Sequence, residues 1–128
     1  MKTLAEKALE ACKEYDRLLK AIHRNRIDIG DGSSACDRIV ETGDLDGYGN
    51  VQYIPDGKDT HLGEVFKGYI SSESYEPEHC HYSEIKALEI IGDCEGCLKA
   101  YKAVQERKSN KKKLGAIKRT IRSIARQA

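Results

Sequence analysis

From Cys94 to Ala128 the chain reads CEGCLKAYKAVQERKSNKKKLGAIKRTIRSIARQA, and this stretch decides the fold. A Cys-x-x-Cys pair opens it. Stepping alternately by three and four residues from Ala100 then picks out Ala103, Arg107, Asn110, Leu114, Ile117, Ile121 and Ile124, a heptad-type stripe along one long helix, 94–127. A lone helix cannot bury such a stripe, so it needs a partner. The first segment supplies one, because Leu4, Ala8, Ala11, Tyr15, Leu18, Ile22, Asn25 and Ile29 repeat the spacing over a first helix, 4–29.

The two ends are therefore expected to pair as a long antiparallel helical hairpin. Setting Asn25 opposite Asn110 gives a register in which Leu18 meets Ile117 and Ala11 meets Ile124. A polar pair in an apolar seam fixes alignment, since any slip leaves an amide without a partner. The competing arrangement pairs each stripe with its own copy in a homodimer. Thr3 and Glu6 form a capping box at the start of the first helix. A second apolar row, Leu9, Cys12 and Leu19, calls for another covering element and places Cys12 in the core.

Between the helices lies a glycine-rich insertion, 30–83. Gly30, Asp31 and Gly32 are read as the stop of the first helix. Ser34 to Glu41 has room for one or two helical turns. Asn50 to Ile54 and Glu64 to Ile70 alternate as two short strands, joined through the turn Pro55, Asp56, Gly57. Asp44, Asp46 and Gly47 have the beginning of a calcium loop but lack its closing glutamate, which favours an acidic turn. Ser83 caps a short helix, 83–91, with Ile85, Leu88 and Ile91 on one face and Gly92 at its end, and Asp93 then caps the long helix. Gly115 marks a bend or a close approach. The fold class is mainly α, with all 128 residues in one domain.

The insertion needs something besides apolar contact to order it, and its cysteines suggest what. Cys80, Cys94 and Cys97 have ligand spacing for zinc, with a fourth ligand contested between Cys36, His81 and His79. Neighbouring side chains diverge and seldom share an ion, which favours Cys36. The metal set is thus Cys36, Cys80, Cys94 and Cys97, and the cofactor is zinc. Buried thiols that pack as small hydrophobes are the plain alternative. A zinc deaminase would need His-x-Glu and Pro-Cys-x-x-Cys, whereas this chain has His61-x-x-Glu64 and Asp93 before Cys94. No phosphate-cradling glycine loop and no nucleophile with its base stand out, so no enzymatic activity is expected.

Charge is strongly segregated. Residues 99–128 hold eleven Lys/Arg against one Asp/Glu, and residues 41–98 hold three against thirteen. Lys99, Lys102, Lys108, Lys111, Lys112, Lys113, Lys118, Arg119, Arg122 and Arg126 lie outside the seam, and phosphates are the commonest partner of such a field. Nucleic acid, or a nucleoprotein complex, is the first expected partner, met through Lys108, Lys111, Lys112, Lys113, Lys118, Arg119, Arg122 and Arg126. A host or defence protein bound through the acidic insertion is the second. No membrane partner is expected, and nothing at the N-terminus has the apolar block of a signal peptide, so the cytoplasm of a bacterial host is the expected location. The expected assembly is a monomer or homodimer.

The run from Cys94 through Cys97, Leu98, Lys99 and Ala100, then Gln105 to Lys108, then Leu114 to Arg119 with Ile121 and Ile124, resembles the C-terminal signature of small bacteriophage and prophage proteins with no settled activity. Similar proteins place one cysteine after the first helix, as Cys36 is here, and another before the Cys-x-x-Cys, as Cys80 is. The resemblance implies a mobile-element origin in bacteria and, by association, a role in modulating host or defence machinery, as anti-CRISPR proteins do.

Overall fold

The computed structural model describes residues 1–45, 51–55, 60–71 and 78–128. Its elements in chain order are α1 (Leu4–Ser34), β1 (Ile39–Leu45), β2 (Val51–Pro55), α2 (His61–Lys67), β3 (Tyr69–Ser71), β4 (Glu78–Cys80), α3 (Glu84–Ile91) and α4 (Glu95–Gln127). The chain is mainly helical, with its long N- and C-terminal helices packed together. It divides into two compact units, residues 1–28 with 102–128, and residues 29–101.

In the first unit the capping box is present, with the Glu6 N–H donating to Thr3 Oγ1 at 3.1 Å and the Thr3 N–H to Glu6 Oε2 at 3.3 Å. The heptad stripe faces inward on both helices. Ala11, Leu18, Asn25, Ala103 and Asn110 are buried, and Leu4, Ala8, Tyr15, Ile22, Arg107, Leu114, Ile117, Ile121 and Ile124 are half-buried. Asn110 Nδ2 donates to Asn25 Oδ1 at 3.0 Å, so the two amides meet within one chain and the expected register holds. Buried amides without partners would each cost about 1–3 kcal/mol; joining them here penalises every slipped alignment. The second apolar row departs from expectation, because Leu9, Leu19 and Cys12 are exposed.

The second unit departs further. Gly30, Asp31 and Gly32 do not end α1, which continues to Ser34. A Cβ on Gly32 would sit 2.5 Å from the Gly96 carbonyl oxygen, and one on Gly96 would sit 2.5 Å from that of Gly32. The two glycines therefore mark where the end of α1 and the start of α4 cross backbone to backbone. Gly115, by contrast, lies inside an unbroken helix, and a Cβ there would meet only the Arg119 guanidinium at 3.8 Å.

No helical turns follow at Ser34 to Glu41: the chain turns through residues 35–38 and enters β1. Strand β1 pairs antiparallel with β2, from Ile39 opposite Pro55 to Leu45 opposite Val51, with an irregularity between Glu41 and Leu45. The expected strand at Asn50 to Ile54 thus corresponds to β2. The expected strand at Glu64 to Ile70 is mostly helix α2, because the Thr60 side chain accepts the Gly63 N–H at 3.0 Å and Gly68, at φ 67°, closes the helix. Only Tyr69–Ser71 is strand there, and it pairs with β4, so the two expected strands belong to different sheets. Asp46 and Gly47 of the acidic turn, and Asp56 and Gly57 of the proline turn, lie outside the described residues.

Ser83 caps α3 as expected, accepting the Lys86 N–H at 3.2 Å, and Gly92 ends it. The buried face of α3 is Ala87 and Ile91, whereas Ile85 and Leu88 are exposed. Cys94, not Asp93, holds the N-cap place of α4, its carbonyl accepting the Leu98 N–H at 2.9 Å. The core of this unit gathers Leu62, Val65, Ala87, Ile91, Ala100 and Tyr101 around Cys36, Cys94 and Cys97.

Candidate metal centre

Three separate pieces of chain deliver the donors of this core. Cys36 follows the last turn of α1, held by its N–H donating to the Ser33 carbonyl at 3.2 Å. Cys94 and Cys97 flank the first turn of α4, spaced so that both sulfurs lie on the same side of the helix start. Gly96 between them is the residue that lets the end of α1 close in. The fourth group is His61, the first residue of α2, the helix that Thr60 caps.

One ligating atom from each of Cys36, His61, Cys94 and Cys97 lies within 4.8 Å of all the others, and this Cys3His cluster could hold a metal ion. In a tetrahedral zinc site with three sulfurs and one nitrogen, Zn–S about 2.3 Å and Zn–N about 2.0 Å put the donors roughly 3.5–3.8 Å apart. Cys36 Sγ and His61 Nδ1 are 3.2 Å apart. With every donor pair within 4.8 Å, closure onto an ion asks for shifts of about 1 Å or less between donors.

The electrostatics also favour a cation. Burial works against ionising Cys94, but N–H groups of Cys97 and Asp37 and the thiols of Cys97 and Cys36 outweigh it, leaving this thiol below its ordinary value. Burial dominates at Cys97 and pushes its thiol up to about 12, with its thiol neighbours Cys36 and Cys94 adding to the rise. Crowding three potential thiolates in an apolar pocket is unfavourable without a positive charge among them. Asp37 Oδ1 lies 3.6 Å from His61 Nδ1, and Arg38 Nη1 donates to Glu64 Oε2 at 2.7 Å, a second tie between the Cys36 turn and α2.

The structure thus brings together Cys36, Cys94 and Cys97 of the expected ligands and places Cys80 elsewhere. Cys80 ends β4 opposite Tyr69, half-buried, with its thiol 3.7 Å from the Glu78 carbonyl oxygen. His79 and His81 are exposed and stack edge to face, with ring centroids 5.0 Å apart. Pairing of β4 with β3 holds His79 opposite Ile70 and Cys80 opposite Tyr69, and the His79 ring nitrogen meets the Lys67 carbonyl, so none of the three joins the cluster. His61 stands in the place expected for Cys80, and the signal for it in the sequence is the Thr60-x-x-Gly63 cap. Among the described residues this is the one group of three or more His, Cys, Asp or Glu side chains so placed.

The basic residues Lys108, Lys111, Lys112, Lys113, Lys118, Arg119, Arg122 and Arg126 are all exposed on α4. The stretch from Lys108 to Arg126 spans about 27 Å at 1.5 Å per residue. No helix among the described residues is long and apolar enough to cross a membrane. No protein-family model matches the chain, and neither does any curated protein or solved structure.

Proposed function

We propose that this is a non-enzymatic zinc protein in which the Cys3His cluster staples residues 29–101, while the basic face of α4 contacts nucleic acid or a nucleoprotein complex. The observation that carries the metal reading is the convergence of four donors from three chain segments within 4.8 Å. Thiolate-rich tetrahedral donor sets suit zinc among the common divalent ions. Four protein ligands also complete its coordination, leaving no open position for a reacting water, which is why the site is read as structural. Elemental analysis of protein purified without chelator tests this: one zinc per chain is expected, and less than half an equivalent overturns it.

The nucleic-acid reading is supported by the exposed cations of α4, set against the single acidic residue Glu106 in residues 99–128. Phosphate contacts of this type are independent of sequence. Neutralising Lys111, Lys112 and Lys113 together should weaken duplex binding uniformly and reduce the salt slope by about 0.9 for each phosphate no longer neutralised. An unchanged slope favours the second reading, an adaptor or inhibitor of host or defence machinery, whose support is the acidic excess of residues 41–98. The mobile-element origin rests on the resemblance of the C-terminal stretch alone.

A further inference from the structure

The histidines of the β4 segment form a second donor set, apart from the Cys3His cluster. His79 lies on the strand opposite Ile70, and His81 follows one residue past its end. Alternation along an extended chain sends these two side chains to one side and Cys80 to the other. The two rings meet accordingly, with centroids 5.0 Å apart and planes at 80°. His79 Nε2 is hydrogen-bonded to the Lys67 carbonyl oxygen. Such an oxygen only accepts, so Nε2 carries the proton and the lone pair of the neutral ring sits on Nδ1. Gly68 permits the arrangement: at φ 67° it turns the chain from α2 into β3, and a Cβ there would stand 3.2 Å from both Cε1 and Nε2 of the His79 ring.

A backbone carbonyl that takes the N–H of one ring nitrogen is the usual support of a histidine that ligates through the other. Neither ring nitrogen of His81 has a hydrogen-bond partner among the described residues, and neither histidine pairs with a described carboxylate. Packing does not account for the contact, because both rings are exposed. Two imidazoles on one ion, with metal–nitrogen bonds of about 2.0 Å, put their ring centres roughly 4.5 Å apart at a right angle and roughly 5.2 Å apart at a tetrahedral one. The observed 5.0 Å falls between these limits. Tyr69, Tyr82, Ser83 and Lys86 line with His81 an open groove of about 430 Å³, which leaves room for water at the remaining coordination positions. From this geometry we infer that His79 and His81 chelate a divalent transition metal, through Nδ1 of His79 and one nitrogen of His81. Imidazole suits nickel, copper and zinc, whereas calcium and magnesium take oxygen ligands. With two protein ligands the ion exchanges readily, which separates this site from the zinc proposed for the four donors of the Cys3His cluster.

The test adds Ni(II), which does not oxidise thiols, to the full untagged chain purified without chelator. Acylation of each histidine by diethylpyrocarbonate, read by mass spectrometry, reports occupancy. His23, exposed on α1, serves as internal reference, and His61 reports on the Cys3His cluster. Ni(II) should slow modification of His79 and His81 at least tenfold with a common midpoint and leave His23 within twofold. His81→Gln should raise the midpoint for His79 about tenfold or more, and His79→Gln should do the same for His81, because the second imidazole binds intramolecularly. Since both positions are exposed, circular dichroism should show each variant folded, and elemental analysis should show its zinc content unchanged.

Protection of His23 to the same degree as His79 and His81 would mean an adventitious ion only and overturns the inference. So does a His79 midpoint that His81→Gln leaves in place, or one that falls as protein concentration rises, which would mean an ion bridging two chains. Protection of His61 with His79 and His81 still reactive would place the nickel in the Cys3His cluster and overturns it as well. The zinc content and the salt slope of duplex binding are separate measurements, so this inference and the proposed function fail independently.

Discussion

In the unit formed by residues 1–28 and 102–128, order comes from repetition: each turn of α1 and α4 offers another small or aliphatic residue to the same seam, and one amide pair fixes its alignment. In residues 29–101 no such repeat exists. A short core gathers around three cysteines, two helices cross at a pair of glycines, and among the described residues four short strands make two separate two-stranded sheets. Two-stranded sheets are marginal in water without further support. The contrast shows that one unit is stabilised by many small equivalent contacts and the other by a few irreplaceable ones, so single substitutions should act very differently on the two.

The largest effect should follow removal of a ligand. Structural zinc is worth on the order of 10 kcal/mol of apparent binding energy, so Cys97→Ser should abolish stoichiometric zinc and expose the amides of residues 29–101 to hydrogen exchange. Protection in residues 4–28 and 102–127 should persist. Simultaneous loss in both regions would show that the hairpin depends on the metal, and the contrast between the two units would collapse.

Within the hairpin, the most damaging single change should be Leu18→Ala. Leu18 is fully buried, and deleting a leucine side chain from a packed core costs about 2–5 kcal/mol. Urea denaturation should show this loss while zinc content stays at one equivalent. Next comes Gly32→Ala, whose new Cβ would press on the backbone of Gly96 and Ala100 with no flexible side chain able to yield. Overpacking of this kind costs about 1–3 kcal/mol, and on the proposed zinc reading it should also weaken metal retention, because Gly96 lies between Cys94 and Cys97 of the cluster. Competition with a chromophoric chelator reads that out.

These unequal sensitivities match what can be read from the sequence. The hairpin is legible because its rule is local: spacing of three and four names the seam, and two asparagines at equivalent positions name the register. The same pattern also names a second apolar row, but does not show that Leu9, Cys12 and Leu19 stay exposed. Inside residues 29–101 the rules act at a distance. Gly32 has the signature of a helix stop, and only the presence of Gly96 across from it makes it a crossing point. Val65, Lys67 and Tyr69 alternate like a strand, yet the Thr60 cap on one side and Gly68 on the other hold residues 61–67 as helix. Reading that helix as a strand hides His61, since a histidine at a helix start can be aimed at a site that a strand residue would miss. The Cys-x-x-Cys and Cys36 are legible because metal chemistry restricts residue type as strictly as packing restricts spacing.

A subtler change probes the amide pair. Asn25→Leu leaves Asn110 buried with an unpaired amide and should cost about 1–3 kcal/mol. Converting both to leucine should recover that stability or exceed it, because the polar pair stabilises less than packed aliphatics. The double variant should lose specificity of alignment instead. Distances between spin labels at exposed sites such as Lys20 and Arg119 should be single-valued in the unmodified chain and broadened or doubled in the double variant. A single sharp distance in that variant would assign register to the apolar stripe alone.

The smallest expected effect separates the two meanings of glycine in this chain. Gly30 and Gly32 lie two residues apart near the end of α1, and both look like the same helix stop in sequence. A Cβ at Gly30 would meet nothing within 4 Å, and the residue is exposed within the helix. Alanine there removes backbone freedom from the unfolded chain and adds no contact, so Gly30→Ala should raise stability by about 0.5–1 kcal/mol. Zinc affinity should not change, because the substitution leaves the crossing at Gly32 and Gly96 untouched. Opposite signs for Gly30→Ala and Gly32→Ala in the same denaturation assay would show that α1 truly continues to Ser34 and that only the second glycine is required for the approach of α4. Destabilisation by Gly30→Ala would instead mean that the helix stops where its glycines first suggest, and that Cys36 reaches the cluster from a looser segment.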